Sequence, residues 1–347
     1  MLGPVDRAVD PIDSPRILPT HTAELFRVAV HEAATLLRRG ELVALPTETV
    51  YGLAANAFDP AAVHRIYEVK GRPTYNPIIV HVASLAQARE CVADWPHQAE
   101  ALARAFWPGP LTLVLPRSSR VPDVVTARGP TVGVRWPSHP FMQAVIQECG
   151  FPLAAPSANL SEQVSPTNAE HVRRSLGGQI SLIVDGGQAQ VGIESTVLDL
   201  THPNARILRP GMIHEESLLA VVGELDGSGS VDSRHLLSPG LLPRHYAPRA
   251  PLRTLDWTDE ADLLRQLAAN NIVASRTHVL AHTAIPSTAA LCSVSVIPHD
   301  PEAFARALYA ELHRCDAANA GWIVVECVPE APAWSAIADR LRRAATG

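Results

Sequence analysis

The sequence is poor in aromatic residues, paired cysteines and long apolar runs. Phe, Trp and Tyr make up 5% of the 347 residues, which argues against a stacking platform for single-stranded nucleic acid. The five cysteines are odd in number, widely spaced and never form CxxC, so neither a disulfide framework nor a structural zinc site is expected. No stretch approaches the roughly 18 uninterrupted apolar residues of a membrane-spanning helix, and the acidic, proline-containing N-terminus lacks the apolar run of a signal peptide. We therefore expect a soluble, cytoplasmic protein with reduced thiols.

Several common catalytic signatures are also missing. The chain has no GxxxxGK[ST] phosphate loop, no GxGxxG after a strand, no GxSxG nucleophile elbow and no HExxH zinc motif. Its 29 basic and 35 acidic residues give a formal net charge of −6, which does not favour tight nucleic-acid binding by charge alone. The chemistry is therefore expected to depend on positioning and charge stabilisation rather than on covalent catalysis.

Length and composition predict two α/β domains. At about 150 residues per domain the chain is long enough for two, and a hydrophobic share of 47% allows a large core. Strands and helices mix without strict alternation, which indicates a twisted, mixed sheet with helices in the first domain and a smaller, Rossmann-like α/β fold in the second. The predicted boundaries are a flexible tail at 1–20, a catalytic domain at 21–223, a linker or lid at 224–249 and a C-terminal domain at 250–347.

Local signals place helices and strands along the chain. Asp59 as N-cap and Pro60 as first residue predict a helix that runs to about Lys70. The spacing of apolar residues predicts further helices that include 21–39, 167–176, 258–269, 301–315 and 335–345. Short apolar runs predict strands that include 42–46, 77–82, 131–136, 273–275 and 322–328.

Two segments early in the first domain combine hydroxyl groups and cations. Thr47 and Thr49 in PTETVYGL share one face if the preceding strand continues, although the ordinary preference of threonine for strands explains them equally well. Lys70 and Arg72 lie at a helix end beside a turn, where a planar fork and a point charge suit phosphate oxygens. The alternative for Lys70 is a contact with the helix dipole.

Two strands carry a basic side chain opposite their valines. His81 lies between Val80 and Val82, so it points to the other face, as a core histidine or as a substrate contact. Arg135 shares a strand face with Thr131. A buried arginine requires an anion, which is either a structural carboxylate or a substrate carboxylate or phosphate.

Small polar residues and a further cation complete the candidate set. Ser157, Asn159 and Ser165 lie in the loop APSANLSEQVSPT, where they either bind phosphate or ribose or form ordinary turns. Ser195 enters a strand, and Arg209 ends another.

Taken in order, these segments resemble one family. The blocks PTETVYGL, KGRP, NPIIVHV, WPGPLTLVL, VGVRWPSHP, APSANLS, SPT, DGG, ESTV and LRPG follow one another over about residues 40–212. The chain resembles the YrdC-like family, and specifically its long form, the two-domain L-threonylcarbamoyladenylate synthases. The long form is indicated by SPGLLPRHYAP at 238–248 and WSAIADRLRRAA at 334–345.

This resemblance implies a nucleotidyltransferase that makes threonylcarbamoyl-AMP and pyrophosphate from L-threonine, bicarbonate and ATP, with Mg²⁺ on the phosphates. The product would serve the N6-threonylcarbamoyladenosine (t6A) modification at position 37 of tRNAs that read codons beginning with A. The resemblance further implies a downstream tRNA threonylcarbamoyl transferase complex, double-stranded RNA binding with a weak contact to tRNA, and no membrane association.

The resemblance also implies residue roles. The residues expected to contact threonine are Thr49, His81, Arg135, the backbone of Ala155, and Ser195, and Arg135 suits the carboxylate. The residues expected to contact ATP are Lys70, Arg72, Asn76, Thr131, Ser157, Asn159, Ser165, Arg209 and Tyr246. Lys70 and Arg72 are the expected catalytic residues, and no protein residue is expected to bind the metal. Tyr246 is expected to reach back over the nucleotide, with 238–248 as a lid.

Two other functions stay open at this point. One is the synthesis of a different carbamoyl-adenylate, which a comparison of threonine with carbamoyl phosphate as cosubstrate would reveal. The other is a structured-RNA binding module without catalysis, which the net charge of −6 disfavours.

Overall fold

The computed structural model describes residues 14–226 and 245–345, which form two sheets with flanking helices. The strands are β1 Arg16–Pro19, β2 Val43–Leu45, β3 Gly52–Asn56, β4 Val80–His81, β5 Leu111–Pro116, β6 Thr131–Arg135, β7 Leu153–Ala154, β8 Leu182–Asp185, β9 Thr196–Asp199, β10 Ala205–Arg209, β11 Leu225–Asp226, β12 Leu252–Leu255, β13 Thr277–Ala281, β14 Ser293–Val296 and β15 Trp322–Glu326. The helices are α1 Ala23–Arg38, α2 Pro60–Lys70, α3 Leu85–Cys91, α4 His97–Phe106, α5 Pro140–Cys149, α6 Ala169–Leu176, α7 Glu215–Val222, α8 Glu260–Ala269, α9 Pro301–Ala317 and α10 Ser335–Ala344.

Side-chain caps explain where the helices begin and end. Asp59 precedes α2, and its Oδ1 accepts hydrogen bonds from the backbone N–H groups of Ala61 (2.9 Å) and Ala62 (3.3 Å), with Pro60 as the first residue. The helix ends where Gly71 adopts a left-handed backbone with a φ of 56°. The predicted helix is confirmed, and its end fixes the start of the KGRP turn.

The larger sheet contains eleven strands in the order β1-β8-β2-β3-β7-β4-β6-β5-β9-β10-β11. The β1–β8, β2–β8, β4–β6, β5–β9 and β10–β11 pairs are parallel, whereas β2–β3, β3–β7, β4–β7, β5–β6 and β9–β10 are antiparallel. This arrangement confirms the predicted mixed sheet.

Helices cover parts of both faces of this sheet. Residue alternation along β2 shows the division, because Val43 and Leu45 pack against α1 and α5 while Ala44 faces a second core that includes α2, α4 and α6. Phe26 of α1 meets Phe141 of α5 edge to face, with 5.2 Å between ring centroids.

The smaller sheet has the order β12-β15-β13-β14, and all its pairs are parallel. Residues of α8 pack on one face, and residues of α9 and α10 pack on the other. This confirms the predicted second α/β fold with a parallel sheet. The apolar cluster under α9 and α10 also takes in Val50, Val164 and Ile193 from the first part of the chain, so a continuous apolar contact joins the two parts.

Gly192 brings these two parts of the chain into backbone contact. Its φ is 84°, and a Cβ there would lie 2.5 Å from the carbonyl oxygen of Ala305 and 2.5 Å from the Cα of Arg306, both on α9. Only a residue without a side chain allows this approach.

Several details of the sequence prediction differ from the structure. Residues 16–19 form β1 beside β8 instead of belonging to a loose tail, and residues 225–226 form β11 instead of belonging to the linker. The strand predicted at 273–275 is wrong, because a short 3-10 helix occupies 274–276 and the strand starts at Thr277. The remaining tail, 1–13, and the linker at 227–244 lie outside the described residues. The domain boundaries at 21–223 and 250–347 stay predictions.

None of the described helices combines the length and the apolar character that crossing a bilayer requires.

We expect Gly192→Ala to lower the thermal unfolding midpoint more than Gly187→Ala does. Both glycines have a left-handed φ, 84° and 80°, which costs an alanine about 1–2 kcal/mol. Only at position 192 would the new methyl group also meet α9, and such overpacking costs about 1–3 kcal/mol more. Circular dichroism during heating measures both midpoints. Equal losses would contradict the close approach of Gly192 to α9, because no described atom lies within 4 Å of a Cβ at position 187.

Candidate active site

A polar pocket lies over the face of the larger sheet opposite the core of α2, α4 and α6. Val80 of β4 and Val134 of β6 point into that core, whereas the next residues, His81 and Arg135, line the pocket. His81 and Arg135 are register partners in the parallel β4–β6 ladder, so they lie side by side. The remaining lining residues are Thr47, Thr49, Val50, Gly52, Arg72, Ile79, Ala155, Pro156, Ser157, Glu194, Ser195, Arg209, His245 and Tyr246. The predicted orientation of His81 is confirmed.

Arg135 is held at one end of the pocket by an acid and a hydroxyl group. Its Nη2 lies 2.8 Å from Glu48 Oε1 in an ion pair, and both side chains are buried. Its Nη1 donates to Thr49 Oγ1 (2.9 Å), and its Nε donates to the carbonyl of Gly109 (3.3 Å). The sequence left two kinds of anionic partner open for Arg135, a structural carboxylate or a substrate anion. The structure shows the first, Glu48, and the Arg135 side chain also lines the pocket.

Thr47 and Thr49 meet in a turn between β2 and β3 and not in a continued strand. Thr47 Oγ1 lies 2.9 Å from Thr49 Oγ1 and donates to the carbonyl of Val50 (2.6 Å). Strand alternation is therefore the wrong reason for their proximity. The turn itself directs both side chains to the pocket.

Electrostatics at this end keep Glu48 charged and His81 neutral. Burial opposes the ionisation of Glu48, but the Arg135 charge and the Ser138 backbone N–H (3.0 Å) outweigh it and hold the pKa of Glu48 below its usual value. Burial, aided by the charge of Arg135, lowers the pKa of His81 to about 3. Glu48 Oε2 and His81 Nδ1 are buried without a hydrogen-bond partner among the described residues. Buried polar atoms in this condition mark a place for a ligand.

Arg72 and Lys70 lie beside each other under another part of the pocket. Arg72 donates through Nη2 to Asn76 Oδ1 (2.7 Å) and to the carbonyl of Pro77 (2.7 Å). Lys70 Nζ donates to the carbonyls of Ser157 (2.6 Å) and Asn159. Burial, together with the charge of Arg72, lowers the pKa of Lys70 well below its usual value, and burial lowers that of Arg72 to about 10. Lys70 thus holds the 157–159 wall and does not contact the end of its own helix through this amine.

A third guanidinium of the pocket, that of Arg209, lies where β9 begins and β10 ends. Arg209 donates through Nη2 to the carbonyl (2.9 Å) and the Oγ (3.1 Å) of Ser195. Ser195 Oγ also lies 2.8 Å from Thr112 Oγ1. A Cβ on Gly211 would lie 2.3 Å from the backbone nitrogen of Thr196, so the glycine of the LRPG block lets the chain pack directly behind Ser195.

Glu194 joins the pocket to helices α9 and α10. Its Oε1 accepts from Ser165 Oγ (2.6 Å), and its Oε2 accepts from Tyr309 OH (3.1 Å) and Arg340 Nε (2.8 Å). Burial opposes the ionisation of Glu194, but the charges of Arg340 and Arg209 and the Ser165 hydrogen bond keep its pKa below the usual value. Glu194 is therefore a buried carboxylate ion in the pocket wall.

His245 and Tyr246, the first residues that the structure describes after position 226, also line the pocket. Tyr246 is 1% exposed, its φ is 61°, and its ring lies 5.2 Å from the guanidinium carbon of Arg340. His245 packs edge to face on it, 4.1 Å between centroids. Burial, aided by Arg72 and Lys70, lowers the pKa of His245 to about 3. The Tyr246 hydroxyl and His245 Nδ1 lack hydrogen-bond partners in the described parts of the chain.

The structure brings most of the predicted site residues together. Nine line the pocket, namely Thr49, Arg72, His81, Arg135, Ala155, Ser157, Ser195, Arg209 and Tyr246. Another four are buried next to lining residues, namely Lys70, Asn76, Asn159 and Ser165. Thr131 is not brought to the pocket, because it begins β6 while Arg135 ends it, a separation of about 13 Å at about 3.3 Å per residue.

Sequence reasoning missed four residues of importance to the pocket. Glu194 and His245 line it, Glu48 pairs with its lining residue Arg135, and Arg340 supports it from α10. Each acid lies directly beside a residue that was singled out, Thr49 or Ser195. A search for the acids that balance a cluster of predicted cations would have found them, whereas nothing in the sequence pairs Arg340 with Glu194.

No group of three or more His, Cys, Asp or Glu residues suited to a metal ion occurs within residues 14–226 and 245–345. Both carboxylates of the pocket are already ion-paired with arginine, Glu48 with Arg135 and Glu194 with Arg340.

Comparisons with known proteins agree with this geometry. Residues 35–211 match the Sua5/YciO/YrdC family model, described as "Telomere recombination", and residues 213–346 match the model described as "Threonylcarbamoyl-AMP synthase, C-terminal domain". The chain is 41% identical to the threonylcarbamoyl-AMP synthase of Bacillus subtilis, over 92% of this chain and 93% of the relative. It is 41% identical to that of Pyrococcus abyssi, over 90% and 92%.

A solved structure extends the similarity to the fold. The crystal structure of Pyrococcus abyssi Sua5 complexed with L-threonine superposes with a TM-score of 0.84 at 39% identity, covering 94% of this chain and 96% of that one. The two matched family models, the relatives of similar length and the shared fold lead to one conclusion. The chain belongs to the Sua5/YciO/YrdC family, in its long form with the threonylcarbamoyl-AMP synthase C-terminal domain.

Proposed function

We propose that this protein is a threonylcarbamoyl-AMP synthase that joins L-threonine, bicarbonate and ATP. Full-length relatives named for this activity support the proposal. The threonine amine and bicarbonate form a carbamate with loss of water. A carbamate oxygen then attacks the α-phosphorus of ATP, the bond from that phosphorus to the bridging oxygen breaks, and pyrophosphate leaves.

The observation that carries the proposal is a single pocket with two cationic parts. One part contains Arg135, and the other contains Arg72 and Arg209. Such a pocket can hold an amino-acid carboxylate and a triphosphate close together, and it offsets the repulsion between the carbamate and the phosphates. Catalysis then comes from orientation and fixed charge.

We propose that the Arg135 part binds threonine. Arg135 presents its guanidinium to the carboxylate, and Thr49, the backbone of Ala155 and Ser195 complete the contacts. His81 is neutral, so it can both donate and accept hydrogen bonds without adding charge. The Pyrococcus abyssi relative was solved in complex with L-threonine, which supports threonine as a ligand of this protein.

We propose that the other part binds ATP. Arg72 and Arg209 face the phosphates, and Lys70 holds the Ser157–Asn159 wall through its two hydrogen bonds to backbone carbonyls. Asn76, Ser157, Asn159 and Ser165 shape the same wall, whereas the position of Thr131 gives no support to its proposed contact. Tyr246 covers the nucleotide and, with the segment at 238–248, keeps water from the labile product; residues 238–244 lie outside the described part.

Magnesium enters this proposal as part of the substrate. Mg²⁺ prefers oxygen ligands and is often held by substrate phosphates with few protein groups. The pocket carboxylates are ion-paired with arginines, so the residues present do not fit a dedicated magnesium site. We therefore propose that the ion arrives on the triphosphate.

The cellular role follows from the product. We propose that the protein acts in the cytoplasm and that a tRNA threonylcarbamoyl transferase complex uses threonylcarbamoyl-AMP to modify adenosine 37 of tRNAs that read codons beginning with A. We also propose a direct contact with double-stranded RNA or tRNA that is weak, because the net charge is −6.

The protein is expected to release pyrophosphate from ATP, magnesium and bicarbonate only when threonine is present. We expect Arg72→Met to lower kcat/KM for ATP by about 10²-fold or more, since it removes a fixed charge from the phosphates. Arg65→Met, on the exposed face of α2, is the matched control and should retain activity. A coupled pyrophosphate assay measures each rate. Release that ignored threonine would refute the proposed reaction.

We expect Arg135→Ala to weaken threonine binding far more than ATP binding. Removing Arg135 also leaves Glu48 as an unpaired buried charge, which costs about 3–5 kcal/mol of folding free energy. The double variant Arg135→Ala with Glu48→Gln removes that charge and should regain stability without regaining threonine affinity. Calorimetric titration with threonine and with a non-hydrolysable ATP analogue separates the two affinities. Equal losses would show that Arg135 does not bind the amino acid.

A further inference from the structure

Arg340 lies behind the pocket and connects α10 to two residues that line the pocket, Glu194 and Tyr246. It is fully buried. Its Nε donates to Glu194 Oε2 (2.8 Å), its Nη2 donates to the Glu194 carbonyl (3.4 Å), and its guanidinium carbon lies 5.2 Å from the centroid of the Tyr246 ring. Its Nη1 donates to Asp339 Oδ2 (3.0 Å). One side chain therefore supports both Glu194 and Tyr246.

Glu194 poses an electrostatic problem for an anion-binding pocket. Its carboxylate lines the same pocket as Arg72 and Arg209, the two cations proposed to face the phosphates. A carboxylate without a partner there would repel a triphosphate, and a water-poor site screens that repulsion only weakly. Arg340 supplies the opposing charge from outside the lining, and the hydroxyl groups of Ser165 and Tyr309 complete the hydrogen bonds of the carboxylate.

We infer that Arg340 is a positioning residue for ATP, which neutralises Glu194 and holds Tyr246 against the nucleotide part of the pocket. The fold of 245–345 thereby completes a site whose other walls belong to 14–226. This inference rests on the proposed function, because it takes the triphosphate to lie at the Arg72 and Arg209 part of the pocket.

An alternative role for Arg340 is purely structural, as a contact that holds the two parts of the chain together. Both roles predict a loss of stability when Arg340 is removed, because a buried carboxylate is left unpaired. The roles differ in what a second change at Glu194 does to ATP affinity. If charge in the pocket is the cause, a neutral residue at 194 restores binding.

The experiment compares Arg340→Met, Glu194→Gln and the double variant by calorimetric titration. The ligands are threonine and an ATP analogue with a methylene group between the α- and β-phosphorus. We expect Arg340→Met to weaken nucleotide binding at least about tenfold, which equals about 1.4 kcal/mol, and to leave threonine binding within about twofold. The double variant should recover at least half of the loss on a logarithmic scale. A folded Arg340→Met that binds nucleotide like the wild type, or a double variant as weak as Arg340→Met, overturns the inference.

One further variant controls for a change at α10 itself. Arg342→Met alters a neighbouring arginine whose side chain is 73% exposed and also pairs with Asp339, so nucleotide affinity should not change. If Arg340→Met does not fold, Glu194→Gln alone carries the test, because it removes the negative charge from the pocket while Arg340 stays in place. Tighter nucleotide binding with unchanged threonine binding then supports the inference, and nucleotide binding no tighter than that of the wild type overturns it.

This test can be separated from a test of the reaction itself. Calorimetry with the methylene analogue needs no turnover. A wild-type protein that bound the analogue but released no pyrophosphate with threonine would overturn the proposed reaction. The nucleotide affinities of the wild type and the Arg340 variants could still be compared.

Discussion

The ion pair between Glu194 and Arg340 is the interaction on which the arrangement of the pocket depends. It is buried on both sides, and it connects the strand that enters the larger sheet at Thr196 with the last helix of the described chain. Removing two charges from water is costly, so such a pair persists only where additional hydrogen bonds satisfy it. Ser165 and Tyr309 provide them. The pocket wall and the contact between the larger sheet's domain and helices α9 and α10 are therefore stabilised by the same interactions.

The pocket concentrates charge in a balanced way. Arg72, Arg135 and Arg209 line it, together with the carboxylate of Glu194, while Glu48 pairs with Arg135 at its margin. This balance allows the cations to stay buried without a ligand, and it still leaves positive charge available for anions. Several polar atoms here lack partners within the described residues, among them His81 Nδ1 and the Tyr246 hydroxyl. A ligand with donors and acceptors of its own would satisfy them, which fits the joining of a small polar amino acid to a nucleotide.

Much of the fold and the site could be predicted from local sequence patterns. Asp59, Pro60 and Gly71 mark the ends of α2 through capping and backbone preference, and alternation on β4 and β6 places His81 and Arg135 opposite their valines. The short strands β1, β3, β11, β12 and β14 escaped prediction, because two to five residues carry little periodicity and gain their hydrogen bonds only from neighbouring strands. Thr131 shares a face with Arg135, yet the length of β6 carries it away from the pocket.

By itself the sequence determined the family, the mixed and parallel α/β character of the two parts, and most of the side chains that line the pocket, because these depend on local periodicity and on ordered motifs. Only the tertiary structure decided which charges meet. Glu194 and Arg340 are 146 residues apart in the chain, and Glu48 and Arg135 are 87 residues apart (135 − 48). Pairing over such distances follows from how strands are ordered and helices packed, which no local pattern encodes.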